Sequence, residues 1–368
     1  MEAWLVGIGT VLVAATLLPF IRGQSWWIRI FDFPRMQIAA AMLLVLLAHV
    51  LTVDASPWGQ LLRAALIAGL ALQVGHMLPY TRLARSQVED SRRADPDNSV
   101  RLLFANVLQS NRDAAALLAV VRKADPDVVL ALEADRWWCE QLAELSRSHP
   151  FTVLRPQDNT YGMLLYSRLA LIEPVVSHLV QDDVPSIHTG LRLPSGRLIK
   201  LHCLHPRPPA PTESDSSVPR DAELLIVGRA VREDPGPTVV MGDMNDVAWS
   251  HTSQLFRDIS GLLDPRVGRG FFNTFNAKHA LIRFPLDHFF HSNDFRLVEF
   301  CRMPYIGSDH FPVYIHLSHE PDAVREQAEP AADAEEGREA EEKIAQAPAA
   351  GTSRPAEPVL QSRSSAAG

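Results

Sequence analysis

Six apolar runs between residues 100 and 312 each stop at, or start from, a carboxylate, amide or imidazole side chain. RLLFA leads to Asn106, DVVLAL to Glu133, RLIKLHCL to His205-Pro206, and TVV to Gly242-Asp243-Met244-Asn245. Leu286-Asp287-His288 precedes FFHS, and Gly307-Ser308-Asp309-His310 precedes FPVYIHL. Short runs rich in Val, Ile and Leu, bounded by turn residues, predict buried strands. A polar group where a buried strand stops is costly to desolvate without a compensating role. Six such ends point to chemistry more than to packing.

Taken singly, the signals are weak. An isolated Asn after a strand is usually a turn residue, and an Asp-Asn pair in a Gly-containing turn occurs in ordinary loops. Together they form a set. Asp243 and Asn245, two apart, point the same way if the backbone stays extended. Phosphoester hydrolysis needs a hard divalent cation, an activated water and relief of charge on the phosphate. Mg²⁺ takes oxygen ligands and keeps several waters, so one or two carboxylates suffice. His310 is the candidate acid or base, because an imidazole with a pKa of ~6.5 exchanges protons near neutrality.

The order and identity of these residues resemble the endonuclease/exonuclease/phosphatase superfamily, which includes pancreatic-type deoxyribonucleases, abasic-site endonucleases, inositol-polyphosphate 5-phosphatases and neutral sphingomyelinases. The resemblance covers roughly residues 99–319, and its most specific pieces are GDMND and GSDHFPV. It implies an α+β fold, a four-layer αββα sandwich of the deoxyribonuclease type. It also implies Mg²⁺ (or Mn²⁺) held by Glu133, Asp309 and Asn106, with Asn106 and Asn245 contacting substrate. Asp243 would position the water, Asp287 would orient His310, and His205 would donate to the phosphate or leaving group. Asp309 is the rival orienter, disfavoured because strand neighbours point to opposite faces. His202 is the rival of His205. Asp246 is expected to cap the following helix. The chain departs from the pattern at His288, and at Asn273-Thr274-Phe275, where Phe275 stands for a Trp and loses the indole N–H.

Outside this region the chain changes character. Residues 3–21, 36–53 and 61–80 are nearly uncharged and close to the ~20 residues a helix needs to cross a bilayer. Trp26, Trp27 and Trp58 lie in the intervening loops, where interfacial aromatics belong. Arg22, Arg29 and Arg35 follow the first span and Arg82, Arg85, Arg92 and Arg93 the third, with Arg63 alone opposite. That asymmetry predicts the catalytic domain in the cytoplasm, with the three spans making a multi-pass protein of the cell (inner) membrane; the resemblance is to bacterial membrane-anchored members of the superfamily. His49 and His76 inside the spans read as packed between helices or near helix ends. The organisation is therefore a transmembrane region at 1–82, a polar linker at 83–98, the catalytic domain at 99–319 and a tail at 320–368. The tail, rich in Ala, Glu and Pro, predicts disorder apart from a transient helix over 333–345.

Of the net charge of −8, most resides in the tail, so the domain is nearly neutral and offers no broad polyanion-binding surface. Cys139, Cys203 and Cys301 lack metal-ligand spacing and read as small buried hydrophobes. The loop at 206–220 is rich in Pro and Ser and reads as loose, setting access to the site.

These features favour a membrane-anchored phosphodiesterase, phosphatase or nuclease, with the bilayer and a phospholipid-like or nucleic-acid phosphoester as partners and no protein partner. The non-enzymatic alternative is a membrane scaffold that binds a phosphorylated ligand without turnover.

Overall fold

The structure is a computed structural model that describes residues 2–53 and 56–347. The chain divides into two compact units, the first formed by Met1–Arg85, Pro209–Ser217 and Val267–Gly270.

In the first unit, helices α1 (Glu2–Leu17), α3 (Arg35–Thr52) and α4 (Pro57–Met77) pack together, and the short α2 (Trp26–Arg29) lies between the first two in sequence. With their flanking turns, the three long helices are apolar enough and long enough to cross a membrane. Met42, Val45 and Leu66 fill their common core. Several buried polar groups pair across the helices, as burial favours. Arg35 donates to Asp32 (2.8 Å) and Gln73 (3.1 Å), and Gln73 donates to Thr16 (3.0 Å). His49 accepts from Arg63 (3.1 Å), a packing role. Pro209–Ser217 is less loose than expected. Trp26 N–H donates to the Asp215 carbonyl (3.0 Å) and Ser217 N–H to that of Gln24 (2.8 Å).

The second unit holds two sheets among its described residues. Its elements are β1 (Ser99–Asn106), α5 (Ala114–Ala124), β2 (Val128–Leu132), α6 (Arg136–Gln141), β3 (Phe151–Arg155), β4 (Met163–Ser167), β5 (Ala170–Ser177), β6 (Ser186–Arg192) and β7 (Leu198–Leu204). Then follow α7 (Val218–Glu233), β8 (Thr238–Asp243), α8 (His251–Ser260), β9 (Asp287–His291), β10 (Phe295–Arg302), β11 (Val313–His319) and α9 (Ala334–Gln346). Six strands run in the order β10-β11-β1-β2-β4-β3, and five in the order β5-β6-β7-β8-β9.

Alternation along the strands explains the layers. Leu102, Phe104, Val128 and Leu130 face Ile187, Leu201, Val239 and Phe289 between the sheets. Leu103 and Val129 face Leu117 and Trp138 of the helices outside the first sheet. Leu204 and Val240 face Leu224 and Phe256 outside the second. The result is a four-layer αββα sandwich, as the sequence implied. Cys203 is buried in the central core, and all three cysteines are free.

The tail departs from expectation. Helix α9 begins at a full capping box between Asp333 and Glu336. It packs Ala340 and Ile344 on Leu225 and Leu255. A packed helix thus stands where a transient one was expected over 333–345, and residues 348–368 lie outside the described residues. Lys343 Nζ sits 2.8 Å from buried Asp221, whose other oxygen accepts from Arg220 (2.8 Å). Burial alone would raise the Asp221 carboxyl, but Arg220 and Lys343 hold it below the usual range. Lys343→Met should lower stability by about 1–3 kcal/mol, because a buried charge loses one partner but keeps another. A thermal melt of the full chain in detergent that matches wild type would contradict this.

Glu223 on α7 is the opposite case. It is buried, and its Oε1 has no hydrogen-bond partner among the described residues. Burial pushes its carboxyl up to about 8. Because the folded pKa exceeds the unfolded one, the stability it allows is complete below about 4.5 and is lost as pH rises through about 8. Glu223→Gln should therefore melt like wild type near pH 4.5 and be more stable by on the order of 2–4 kcal/mol at pH 8 and above. An unchanged pH profile of melting would count against it.

Candidate active site

Strand pairing brings the polar ends together. Parallel pairing of β1 with β2 sets Asn106 beside Leu132, so Glu133 follows immediately. Parallel pairing of β7 with β8 sets Leu204 beside Gly242, which brings His205 next to Asp243. Antiparallel β9 begins with Asp287 directly opposite Asp243. Strand β11 runs antiparallel to β1 with Val313 opposite Phe104, so the segment before it, with Asp309 and His310, arrives at the Asn106 end.

At the centre, Asn106 Nδ2 donates to Glu133 Oε1 (2.7 Å) and Asp243 Oδ2 (3.1 Å), joining ends from both sheets. His310 Nδ1 lies 2.9 Å from Asp287 Oδ2, and its Nε2 lies 3.5 Å from Asp243 Oδ2. His205 Nε2 is 4.0 Å from the same oxygen. Asn245 N–H donates to Asp243 Oδ1 (2.9 Å), and its side chain donates to the Pro206 carbonyl (3.0 Å), tying the His205-Pro206 turn to the 243–245 loop.

The backbone is specialised at these ends. Glu133 and Asn245 hold left-handed conformations, with φ of 56° and 50°. At Gly242, with φ of 149°, an added Cβ would sit 1.9 Å from the Leu204 carbonyl oxygen. Ser308, which sequence reasoning passed over, accepts from His310 N–H (3.0 Å) and donates to the Asn106 carbonyl (2.8 Å). It fixes the 307–310 turn to β1. Its place inside GSDH was the available signal.

Asn106 accepts from Leu108 N–H (3.1 Å) with its side-chain oxygen, so its N–H end faces the carboxylates. That suits a donor, and the oxygen keeps a second lone pair. Among the described residues, Asp243, Asp287 and His310 place donor atoms within 4.8 Å of one another. Glu133 is joined to that group through Asn106, and Asp309 is close enough for its charge to act on both Glu133 and His310. The N-cap of α8 is Ser250, not Asp246, which instead accepts from Val247 N–H (2.9 Å) and pairs with Arg220 (3.3 Å).

The rival His202 is placed elsewhere. Its Nδ1 lies 2.7 Å from that of His188 on the adjacent strand, and burial lowers His202 to about 4. His288 is held by Arg266 (2.7 Å) and the Asp246 carbonyl (2.8 Å), a structural role. Phe275 lies with its ring centroid 4.9 Å from that of His310, which keeps an aromatic wall at the site.

Burial dominates the electrostatics. It pushes Glu133 up to about 7 and raises Asp243. It pulls His205 down to about 4, and His205 Nδ1 has no partner among the described residues. Burial also opposes charge on His310, but Asp287 and Asp243 outweigh it and raise that imidazole to about 10. Carboxylates held above their usual range by burial are ones that a hard cation would return to the charged form. The carboxylate oxygens gathered here fit such an ion.

Residues 103–310 match the model of the Endonuclease/Exonuclease/phosphatase family. Among solved structures, the chain is similar to D. rerio TDP2 complexed with single strand DNA product, at 17% identity over 60% of this chain and 100% of that one, with a TM-score of 0.51. It is also similar to a D. rerio TDP2 humanized by 14 mutations, at 16% identity over 60% and 99%, with a TM-score of 0.51. An endonuclease/exonuclease/phosphatase from Bacteroides vulgatus gives 15%, 60% and 99%, with a TM-score of 0.50. At such identities the likeness speaks for the fold alone. No curated protein matches the sequence. The family match spans more than half of the chain and contains every polar strand end described above, so the chain belongs to the endonuclease/exonuclease/phosphatase family.

Proposed function

We propose that the chain is a membrane-anchored, divalent-metal-dependent phosphoester hydrolase. The observation that carries this reading is the buried Asp287–His310–Asp243 constellation at the joined strand ends. Asp287 orients the His310 ring and stabilises its charged form, leaving Nε2 toward Asp243 and the reacting phosphate. Asp243 aims the attacking water and accepts its proton, while the P–O bond to the leaving group breaks and charged His310 gives its Nε2 proton to the departing oxygen. Asn106, Asn245 and His205 supply polar contacts to the phosphate oxygens, with Asn106 giving its N–H end. Glu133 and Asp309 join the carboxylates available to Mg²⁺ or Mn²⁺. When bound, the cation supplies charge neutralisation on the phosphate and acidifies a water. The three long apolar helices support anchoring in a membrane, and the arginine asymmetry of their flanks supports a cytoplasmic site in a multi-pass inner-membrane protein.

The test is a substrate panel with the full chain in detergent, with magnesium and with EDTA. The panel holds bis-p-nitrophenyl phosphate, single- and double-stranded DNA, RNA and phospholipid vesicles. Metal-dependent turnover of any of these supports the hydrolase. A folded, metal-binding chain that turns over none of them would favour a scaffold that only binds phosphorylated ligands.

A further inference from the structure

Phe311, the residue after His310, carries two guanidinium groups. Arg302 lies 4.3 Å from its ring centroid and Arg283 lies 5.0 Å from it. Neither arginine pairs with a carboxylate among the described residues. Arg283 spends Nε and Nη2 on the carbonyls of Asn276 (3.3 Å) and Ala277 (3.0 Å). Arg302 spends Nη1 on the Asn273 carbonyl (2.7 Å). Each therefore retains donors, since a guanidinium has five N–H groups.

The two charges are close enough to act on one another. Burial, and then Arg283, lower the pKa of Arg302. Holding like charges together without an anion is unfavourable. The structure accepts this beside the catalytic histidine. The 273–277 segment that receives the arginines also donates Ala277 N–H to the Asp309 carbonyl (2.6 Å) and sets the Phe275 ring against that of His310. A cavity of about 600 Å³ opens against the same ring, with Arg302, Phe311, Tyr314 and Lys123 in its wall and Glu299 as its acidic member. Ordinary packing of a surface loop explains the carbonyl contacts. It does not explain why two guanidinium groups without a carboxylate partner meet on one ring.

We propose that Arg283 and Arg302 form a second anion subsite, which binds a further phosphate of the substrate beside the one at His310. The substrate class is then a phosphoester with at least two phosphates, supplied by a polynucleotide or by a phosphorylated lipid headgroup. This rests on the hydrolase reading for which phosphate reacts, but its test does not need turnover.

The experiment is calorimetric binding to the full chain in detergent with magnesium present. One pair of ligands is thymidine 5′-monophosphate and thymidine 3′,5′-bisphosphate. The other is inositol 1-phosphate and inositol 1,4-bisphosphate. In at least one pair the bisphosphate should bind roughly tenfold tighter, as charge-assisted hydrogen bonds to one more phosphate allow. The pair that discriminates identifies the source of the substrate. Arg283→Gln with Arg302→Gln should bring that ratio close to one, and the Arg283→Lys, Arg302→Lys variant should keep part of it. Equal affinities in both pairs for wild type would overturn the proposal, as would a ratio that survives the double glutamine variant. Equal affinities alongside metal-dependent hydrolysis would remove the subsite and leave the enzyme. A preserved ratio without hydrolysis of any substrate would do the reverse.

Discussion

His310→Ala is expected to slow phosphodiester turnover by about 10²–10⁴-fold, the range for loss of a positioned acid or base. The effect should fall on kcat with KM little changed, because the imidazole acts on the transition state rather than on substrate affinity. Asp287→Asn should produce a loss of similar order. An asparagine at that position keeps the contact to His310 Nδ1, 2.9 Å in the wild-type chain, but withdraws the negative charge that helps raise the imidazole to about 10. The two changes act on one device. The double variant should therefore be about as slow as His310→Ala alone. Losses that multiply would show that Asp287 works independently of His310.

Gly242→Ala is expected to be the most damaging single substitution to the fold. Its φ of 149° lies where only glycine is comfortable, and the new methyl would meet the Leu204 carbonyl oxygen at 1.9 Å. That oxygen belongs to the neighbouring parallel strand, so relief requires β7 and β8 to separate just before His205 and Asp243. A loss of more than about 4 kcal/mol, or failure to accumulate folded protein, is expected from such a backbone clash. Gly196→Ala is the control, since its φ of 86° is also positive but nothing lies within 4 Å of the added carbon. It should cost only about 1 kcal/mol, the strain of the dihedral itself. Similar melting temperatures for the two variants would contradict the packing argument.

The polar strand ends were readable in the sequence because two periodicities coincide there. A run such as DVVLAL, short, apolar and rich in Val and Leu, reads as a buried strand, and Glu133 just beyond it falls where the ladder stops. Short strands were harder to read. Phe151–Arg155 lacks an apolar run, and Ala170–Ser177 contains Pro174 and a break in register between Ile172 and Val175. Helix α9 was read as transient because composition describes a segment's average and not its partners. Lys343, Ala340 and Ile344 find Asp221, Leu225 and Leu255 only after α7 and α8 are folded.

Within the site, residue types were more legible than orientations. Asn106 was read both as metal ligand and as donor, and only the fold shows that its oxygen accepts from Leu108 N–H while its N–H end faces the carboxylates. His205 was preferred to His202 on the resemblance, and strand register, which the sequence does not display, pairs His202 with His188. The arginines around Phe311 left no mark in the sequence, since Arg283, Arg302 and Phe311 come from three separate stretches of chain.

The central claim is that the assembled strand ends direct water at phosphorus. It is tested most directly by hydrolysing bis-p-nitrophenyl phosphate with the full chain in ¹⁸O-labelled water and weighing the product. The prediction is metal-dependent release of p-nitrophenyl phosphate carrying one ¹⁸O, with the rate collapsing in His310→Ala. Unlabelled phosphate product, or labelled product formed as fast by the His310→Ala variant, would contradict it.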